Sequence, residues 1–256
     1  AINEMHNPTS TLNYRKAKQR LKYEEIFLYL LKIQYLKKRR QTEEKAMMRN
    51  ISYQEVENFI STLPFELTKD QIETVKSIFK DLTTKKRMNR FVQGDVGSGK
   101  TIVAFLAAYM NFLSNHQTAL MVPTEILAVQ HYQNAKEVFK EIKINIGLLT
   151  SSVSKKEREN TYQKLENGEL DFIIGTQSLI QDNLHFSNLG LIIADEQHRF
   201  GVKQRELLRN KGISPDVLSM SATPIPRTYA LTLYGDMDIS NIKTKPKGRK
   251  EIITIF

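Results

Sequence analysis

The amino-acid sequence predicts an α/β protein, with a mostly parallel sheet covered by helices on both faces and an α-helical segment before it. From residue 90 onward, short β-branched or apolar runs alternate with segments of helical composition. Strands that are apolar throughout and separated by helices are typical of parallel sheets joined by right-handed crossovers. The first fifty residues lack this alternation. A hydrophobic content of 40% and a charged content of 26% are those of an ordinary globular protein.

The N-terminal segment is predicted to be helical. Residues 13–49 contain no Gly or Pro and are rich in helix formers, which predicts one long helix or two. Residues 21–36 are apolar on more than one helical face, so they must pack against something. The basic residues 37–40 fit either a solvated helix end or a phosphate contact. A further helical stretch over residues 52–63 ends at Pro64, and we group residues 1–62 as a helical connector.

Residues 63–256 are predicted to form the α/β domain. Thr68 is suited to cap a helix through Leu82, because its hydroxyl can accept a hydrogen bond from a free backbone N–H group. Six runs are predicted as strands: residues 90–93, 119–122, 144–149, 172–175, 191–195 and 217–221. Two of the segments between them, residues 101–113 and 125–139, are predicted as helices. In such sheets, functional residues gather at the carboxyl ends of the strands.

The chain is basic, with a formal net charge of +10 and a pI of about 9.5. This excess indicates either a polyanionic partner, for which nucleic acid fits better than a membrane, or a solvated basic face. The absence of cysteine excludes disulfides, thiolate metal sites and cysteine nucleophiles. No apolar run approaches the ~20 residues that span a bilayer, and no secretory pattern begins the chain, so we expect a cytoplasmic protein without membrane partners.

A complete phosphate-loop pattern follows the first predicted strand. Eight consecutive residues fit G-x-x-x-x-G-K-T: Gly94, Asp95, Val96, Gly97, Ser98, Gly99, Lys100 and Thr101. Glycines allow several backbone N–H groups to point at phosphates, and the helix that follows adds its positive N-terminal end. Lys100 is suited to lie between the β- and γ-phosphates of ATP, and the Thr101 hydroxyl is suited to ligate Mg²⁺.

An acidic pair follows the apolar run at residues 191–194. A carboxylate at the tip of a buried strand can hold Mg²⁺ through water, and a second carboxylate can orient or deprotonate the attacking water. We therefore assign Asp195 to the metal and Glu196 to the water. With Lys100, these two residues form the predicted catalytic set.

Gln197 and His198 complete a D-E-Q-H box after the acidic pair. His198 is either a structural histidine or a link from the γ-phosphate site to the end of the next strand. That strand ends in three small residues, Ser221, Ala222 and Thr223, which fit either a simple turn or a coupling motif.

In this order, the phosphate loop, the D-E-Q-H box and residues 221–223 resemble the first RecA-like lobe of a superfamily 2 helicase. The resemblance implies that Gln197, His198 and residues 221–223 couple the nucleotide to the rest of the motor. It also implies that Gln71 reads the adenine edge, since an amide both donates and accepts hydrogen bonds. Two triplets that follow strands resemble the motifs that touch the nucleic-acid backbone: Pro123, Thr124 and Glu125, and Gly175, Thr176 and Gln177.

A closer resemblance is to the RecG family of branch-migrating DNA helicases. Residues 223–228 and 230–236 carry it most strongly, and they make Arg227 a further coupling residue. Met5, His6 and Pro8, followed by a long helical stretch, resemble the segment between the DNA-wedge domain and the motor in that family. The chain departs from the family pattern at Ser151, where glycine is expected, which puts the DNA contact of that loop in question.

The resemblance implies an ATP- and Mg²⁺-dependent DNA helicase or translocase. Its substrates would be branched DNA, such as stalled forks and Holliday junctions, in recombination and repair. The second motor lobe, with its arginine finger, and the wedge domain would belong to the same full-length chain. We therefore expect these 256 residues to be an excised fragment with little activity of its own.

Two alternatives remain open at this point. The motor of the transcription–repair coupling factor shares the Gly-Asp-Val-Gly and Thr-Pro-Ile-Pro-Arg-Thr stretches, but residues 123–127 and 231–236 favour RecG. The other alternative is a nucleotide-binding scaffold without turnover. The intact phosphate loop and acidic pair argue against it.

Overall fold

The computed structural model describes residues 1–43, 48–223, 237–244 and 246. The chain divides into two compact units, Ala1–Glu43 with Ile225–Met237, and Glu44–Pro224 with Asp238–Phe256. The first unit is helical in its described residues, with α1 over Ile2–His6 and α2 over Thr11–Glu43. Throughout the described ranges, no helix combines the length and the apolar run that crossing a bilayer requires.

The long helix α2 runs without a break from Thr11 to Glu43, so a single helix covers the described part of the stretch that was predicted as one helix or two. The turn before it is closed by Glu4, whose carboxylate accepts hydrogen bonds from the Thr9 backbone N–H at 3.1 Å and the Thr9 hydroxyl at 2.9 Å. Ser10 Oγ then accepts the Asn13 N–H at 3.2 Å at the helix start. Apolar side chains in the middle of α2 are exposed: Tyr23, Ile26, Phe27, Leu28, Leu31 and Tyr35.

In the described residues of the second unit, seven strands form one parallel sheet with helices on both faces, which confirms the predicted fold class. The strands are β1 Asn89–Gly94, β2 Gln117–Met121, β3 Ile146–Leu149, β4 Phe172–Gly175, β5 Leu189–Ala194, β6 Asp216–Ser221 and β7 Asp238–Ile242. The α-helices are α3 Tyr53–Ser61, α4 Lys69–Leu82, α5 Lys100–Leu113, α6 Glu125–Val138, α7 Lys155–Glu166 and α8 Val202–Arg209. Single 3₁₀ turns lie at Gln177–Ile180 and Gln197–Arg199.

The order of the strands in the sheet is β3-β4-β2-β5-β6-β1-β7. Strand β7 was not predicted from the sequence, because Asp238–Ile242 is short and interrupted by polar residues. It pairs with β1 at the sheet edge. The strands that carry the phosphate loop and the acidic pair, β1 and β5, are separated only by β6.

Side chains of successive strand residues enter two different apolar layers. In β5, Leu191 and Ile193 pack in the layer that contains residues of α3–α6, whereas Ile192 packs with residues of α7 and α8. Val56 and Phe59 of α3 belong to the first of these layers. Helix α3, which the sequence grouped with the connector, therefore packs with the sheet.

A buried arginine ties together the amino ends of the strands. Arg49 donates to Asn111 Oδ1 at 3.0 and 2.7 Å and to the Gly190 carbonyl at 2.8 Å, and it forms an ion pair with Asp216. Asp216 also accepts the Met88 N–H at 2.6 Å. Burial raises the pKa of the Asp216 carboxyl, and the Arg49 guanidinium opposes that shift.

Candidate nucleotide site and adjoining loops

The phosphate loop connects β1 to α5, as the sequence predicted. Gly99 caps α5 with φ of 83°, in the left-handed region that glycine tolerates. A Cβ atom at Gly99 would lie 2.1 Å from Gln71 Nε2, so no larger residue fits without displacing that side chain. Helix α5 begins at Lys100, and its first backbone N–H groups are available to an anion beside the loop.

Lys100 is buried within the loop it follows. Its ammonium donates to the carbonyls of Gly94 at 2.6 Å and Asp95 at 3.0 Å. Burial lowers the pKa of the ammonium, and the carboxylates of Asp195 and Glu196 oppose that shift. The structure thus brings the acidic pair into the electrostatic range of the lysine.

Gln71 braces the phosphate loop. Its Nε2 donates to the Ser98 carbonyl at 2.8 Å, and its Oε1 accepts the Thr68 N–H at 2.8 Å. Thr68 Oγ1 in turn accepts the Gln71 N–H, which completes the predicted cap of α4. The amide is buried, so its contact with the loop is well defined.

A cavity of about 880 Å³ adjoins the loop, within the size range of ligand sites. Its lining is mostly apolar and includes Phe65, Ile102 and Phe105 together with Gln71, Gly99 and Thr101. Phe65 is half exposed, so part of its aromatic side chain is accessible to a partner.

The acidic pair lies at the carboxyl end of β5. The Asp195 N–H donates to the Met121 carbonyl at 3.0 Å, which continues the pairing with β2. Asp195 Oδ1 accepts the Glu196 N–H at 3.0 Å, and Oδ2 lies 3.0 Å from Nε2 of His131. Glu196 has φ of 48°, a left-handed conformation that is uncommon outside glycine and is enriched at functional sites.

His131 was missed by the sequence reasoning. It lies in the middle of α6 with no charged or motif-defining neighbour to mark it, so only the tertiary contact with Asp195 draws attention to it. Among the described residues, Nδ1 of His131 is buried without a hydrogen-bond partner. The ring packs against Phe105 in a T-shaped arrangement, with ring centroids 6.4 Å apart and planes at 83°.

Four of the residues predicted to couple the nucleotide to the motor are described: Gln197, Ser221, Ala222 and Thr223. Gln197 is buried, and within the described ranges neither of its amide atoms has a partner. Ser221 Oγ lies 2.9 Å from Thr223 Oγ1 and accepts the Thr223 N–H at 3.2 Å, with Ala222 between them. The side chain of His198 and all of Arg227 lie outside the described residues.

The predicted nucleic-acid contacts lie at the carboxyl ends of β2 and β4, which are neighbours in the sheet. Pro123 is half-buried and Thr124 is exposed; Thr124 Oγ1 accepts the Leu127 N–H at 3.3 Å and so caps α6. After β4, Gly175 and Thr176 are buried and Gln177 is exposed. A Cβ atom at Gly175 would lie 2.3 Å from the Leu149 carbonyl, which explains the glycine.

Glu125 holds a third loop against the start of α6. Its Oε1 accepts the Ser151 backbone N–H at 3.0 Å and also contacts the Ser151 hydroxyl. Hydrogen bonds from Ser151 and Ser152 lower the pKa of the Glu125 carboxyl. Arg158 supports the same loop through the Ser151 carbonyl at 3.3 Å.

The sequence of the sheet domain and its loops also matches a known protein family. Residues 68–231 match the DEAD/DEAH box helicase family, and the chain belongs to that family.

Within that class, the chain is similar to ATP-dependent DNA helicase RecG. It is 48% identical over 255 residues to RecG of Staphylococcus aureus (strain NCTC 8325 / PS 47) and 48% identical over 256 residues to RecG of Bacillus subtilis (strain 168). These alignments cover 100% of this chain but 37% and 38% of the relatives, so the chain spans little more than a third of their length.

Solved structures agree. RecG bound to a three-way DNA junction matches with a TM-score of 0.84 and 45% identity, over 97% of this chain and 33% of that one. The UvsW helicase from bacteriophage T4 matches with a TM-score of 0.56 and 16% identity, over 78% and 70% of the two chains, which shows a shared fold. The resemblance to RecG inferred from the sequence is confirmed.

Proposed function

We propose that this chain is the ATP-binding and ATP-hydrolysing lobe of a RecG-type DNA helicase or translocase that branch-migrates Holliday junctions and regresses stalled forks. One observation carries the proposal: the phosphate loop and the acidic pair leave the carboxyl ends of β1 and β5, parallel strands separated only by β6. The carboxylates of Asp195 and Glu196 accordingly oppose the lowering of the Lys100 pKa by burial. Family membership supports ATP use, and the similarity to RecG supports branched DNA as the substrate.

The nucleotide fits the site by shape and charge. The base fits the cavity beside Phe65 and Gln71, and the phosphates fit the loop at the start of α5. One N–H of the Gln71 amide already donates to the Ser98 carbonyl, so we assign the second N–H to the adenine. To bind ATP, the Lys100 ammonium must replace its hydrogen bond to at least one loop carbonyl by one to a phosphate oxygen. This replacement is favourable because a buried positive charge is stabilised more by an anionic oxygen than by a neutral carbonyl.

The residues also fit Mg²⁺. The Thr101 hydroxyl and the Asp195 carboxylate are hard oxygen ligands, and the described residues contain no cluster of three His, Asp or Glu side chains that would form an all-protein cage. Mg²⁺ is typically held by one or two such ligands together with substrate phosphates and waters. When bound, it would neutralise developing charge on the phosphates.

The hydrolytic roles follow from position. Glu196 is the group we assign to orient the attacking water and accept its proton, because Asp195 is already oriented by Glu196 N–H and His131. Gln197, His198, Ser221, Ala222, Thr223 and Arg227 are assigned to coupling.

The DNA contact is proposed for the loops after β2, β3 and β4. Thr124 at the start of α6 and the exposed Gln177 offer polar groups to a phosphate backbone, and the helix start adds free N–H groups. Glu125 would repel phosphate, so we assign it to holding the Ser151 loop in place. Pro123, Gly175 and Thr176 shape the same surface.

The partners follow from chain length and from the exposed apolar residues of α2. Since the RecG relatives are more than twice as long, we propose that a second motor lobe and a DNA-wedge domain complete the protein. The exposed centre of α2, including Tyr23, Phe27 and Leu31, is then covered by the rest of that protein. A DNA substrate in a bacterial relative also supports a cytoplasmic location.

The test compares this chain with a longer protein that contains it. Mg-ATP binding is measured by calorimetry, and steady-state ATPase is measured with and without branched DNA. We expect the chain to bind nucleotide weakly and hydrolyse it slowly, and the longer protein to show DNA-stimulated turnover. Because an arginine finger contributes ~10³–10⁵ in rate in related enzymes, the contrast is large. A longer protein that binds ATP but shows no turnover with any DNA would support the scaffold alternative.

A further inference from the structure

Helix α6 physically links the proposed DNA surface to the metal-site carboxylate. It begins at the capping residue Thr124, and the next residue, Glu125, anchors the Ser151 loop. Six residues after Glu125, His131 contacts Asp195. At ~1.5 Å per residue, Glu125 and His131 are separated by about 9 Å along one continuous helix, so a displacement of the helix moves both contacts.

The hydrogen bond of His131 is directed at one target. Nε2 lies 3.0 Å from Asp195 Oδ2, and both side chains are largely buried, with exposures of 7% and 13%. Nδ1 has no hydrogen-bond partner among the described residues, and the ring packs nearly perpendicular to that of Phe105. If His131 only filled the core, we would expect its ring nitrogens to bond to nearby backbone groups. Here the imidazole donates to the carboxylate, and Nε2 must carry the proton to do so.

We propose that His131 is a positioning residue that sets the orientation of the Asp195 carboxylate and couples it to the DNA-facing start of α6. The proposal rests on the proposed function. The Asp195 carboxylate is held at both oxygens, by the Glu196 N–H on Oδ1 and by His131 on Oδ2. The Glu196 N–H belongs to the same turn as Asp195, whereas His131 belongs to α6. Only the hydrogen bond from His131 therefore changes when α6 moves relative to the acidic pair. A shift of α6 on DNA binding therefore changes the direction in which Asp195 presents its remaining lone pairs.

Two variants separate the hydrogen bond from packing. His131→Met and His131→Gln introduce unbranched side chains of similar length, but only glutamine keeps an N–H donor near the position of Nε2. His116→Leu is the control. His116 is a half-buried histidine just before the amino end of β2, whereas Asp195 follows the carboxyl end of the neighbouring strand β5. Thermal unfolding is measured first, and His131→Leu replaces His131→Met if that variant does not fold.

The first readout is the Mg²⁺ concentration that half-saturates binding of a fluorescent ATP analogue. Partners that orient a metal ligand typically contribute 10–100-fold to metal affinity, so we expect a rise of ~10-fold or more in His131→Met, with most of it reversed in His131→Gln. The His116→Leu titration should match the wild type. The second readout, in the longer protein, is the ratio of ATPase with and without branched DNA. It should fall in His131→Met more than in His131→Gln.

The outcomes distinguish this inference from the proposed function. If the wild type shows no Mg²⁺-dependent nucleotide binding, the proposed function itself fails. If the wild type binds normally and the Met and Gln variants give the same Mg²⁺ titration and the same DNA stimulation as each other, His131 is only a packing residue and the inference is wrong.

Discussion

Replacing Arg49 by methionine tests how the amino ends of the strands are held together. The substitution removes the donors to Asn111 Oδ1 and the Gly190 carbonyl. It leaves the buried Asp216 carboxylate with the Met88 N–H and with the more distant charge of Arg87. Breaking a buried ion pair on one side typically destabilises a protein by about 3–5 kcal/mol. That is a large part of an ordinary domain stability of about 5–15 kcal/mol. At ~2–4 °C per kcal/mol, Tm should fall by roughly 6–20 °C.

The assay is urea unfolding of wild type, Arg49→Met, Asp216→Asn and the double variant. Since the orphaned charge is the main penalty, Arg49→Met/Asp216→Asn should be more stable than Arg49→Met alone. The pH dependence has a definite sign. Burial raises the folded-state pKa of Asp216, so the folded state binds the proton more tightly than the unfolded chain does. Loss of Arg49 raises that pKa further, and Arg49→Met should gain stability relative to wild type as pH falls from 7 toward 5.

The proposed nucleotide site should be unaffected, because Arg49 lies at the amino ends of the strands and the phosphate loop lies at their carboxyl ends. Mg-ATP affinity of folded Arg49→Met is therefore expected to equal that of the wild type. A loss of stability below about 1 kcal/mol, or a double variant no more stable than Arg49→Met, would refute the ion-pair argument.

Three further predictions concern the site and its surroundings. Lys100→Ala should lose most Mg-ATP affinity in calorimetry, because the loop loses its cation; unchanged binding would mean that the loop is wrongly assigned. Glu196→Gln should keep ATP binding while turnover of the longer protein falls by ~10²-fold or more, and Asp195→Asn should instead weaken the Mg²⁺ dependence of binding; wild-type turnover in Glu196→Gln would contradict this division. Asp70 accepts hydrogen bonds from Lys243 N–H at 2.8 Å and Thr244 N–H at 2.7 Å, which lower its pKa below 3.8. The stabilisation it provides relative to Asp70→Asn is therefore present above the unfolded-state pKa and lost as pH falls through the lower folded-state pKa. Urea denaturation of both proteins at a series of pH values from 6 downward would show this, and a stability difference that does not shrink would contradict it.

Local sequence determined the features whose physics is short-range. The phosphate loop needs its glycines and lysine within eight residues. The caps of α4 and α6 need only that Thr68 and Thr124 lie three residues before the N–H groups from which their hydroxyls accept hydrogen bonds. Continuous apolar runs separated by helices were enough to predict a parallel sheet, because both faces of such strands must be buried. The contacts with a nucleotide, metal or DNA that were assigned to these motifs stay predictions.

Tertiary structure decided which distant residues meet, and it did so through the order of the strands. Strand β2 lies beside β5, so the helix that follows β2 brings His131 to Asp195, 64 residues away in the chain. The same order places the loop after β3 within reach of Glu125, and it places Asp216 beside Arg49, 167 residues apart. No periodicity or motif in the sequence predicts that these residues meet, because a hydrogen bond between remote segments does not constrain the residues next to either partner in the chain. Each depends on crossovers that only the packed sheet defines.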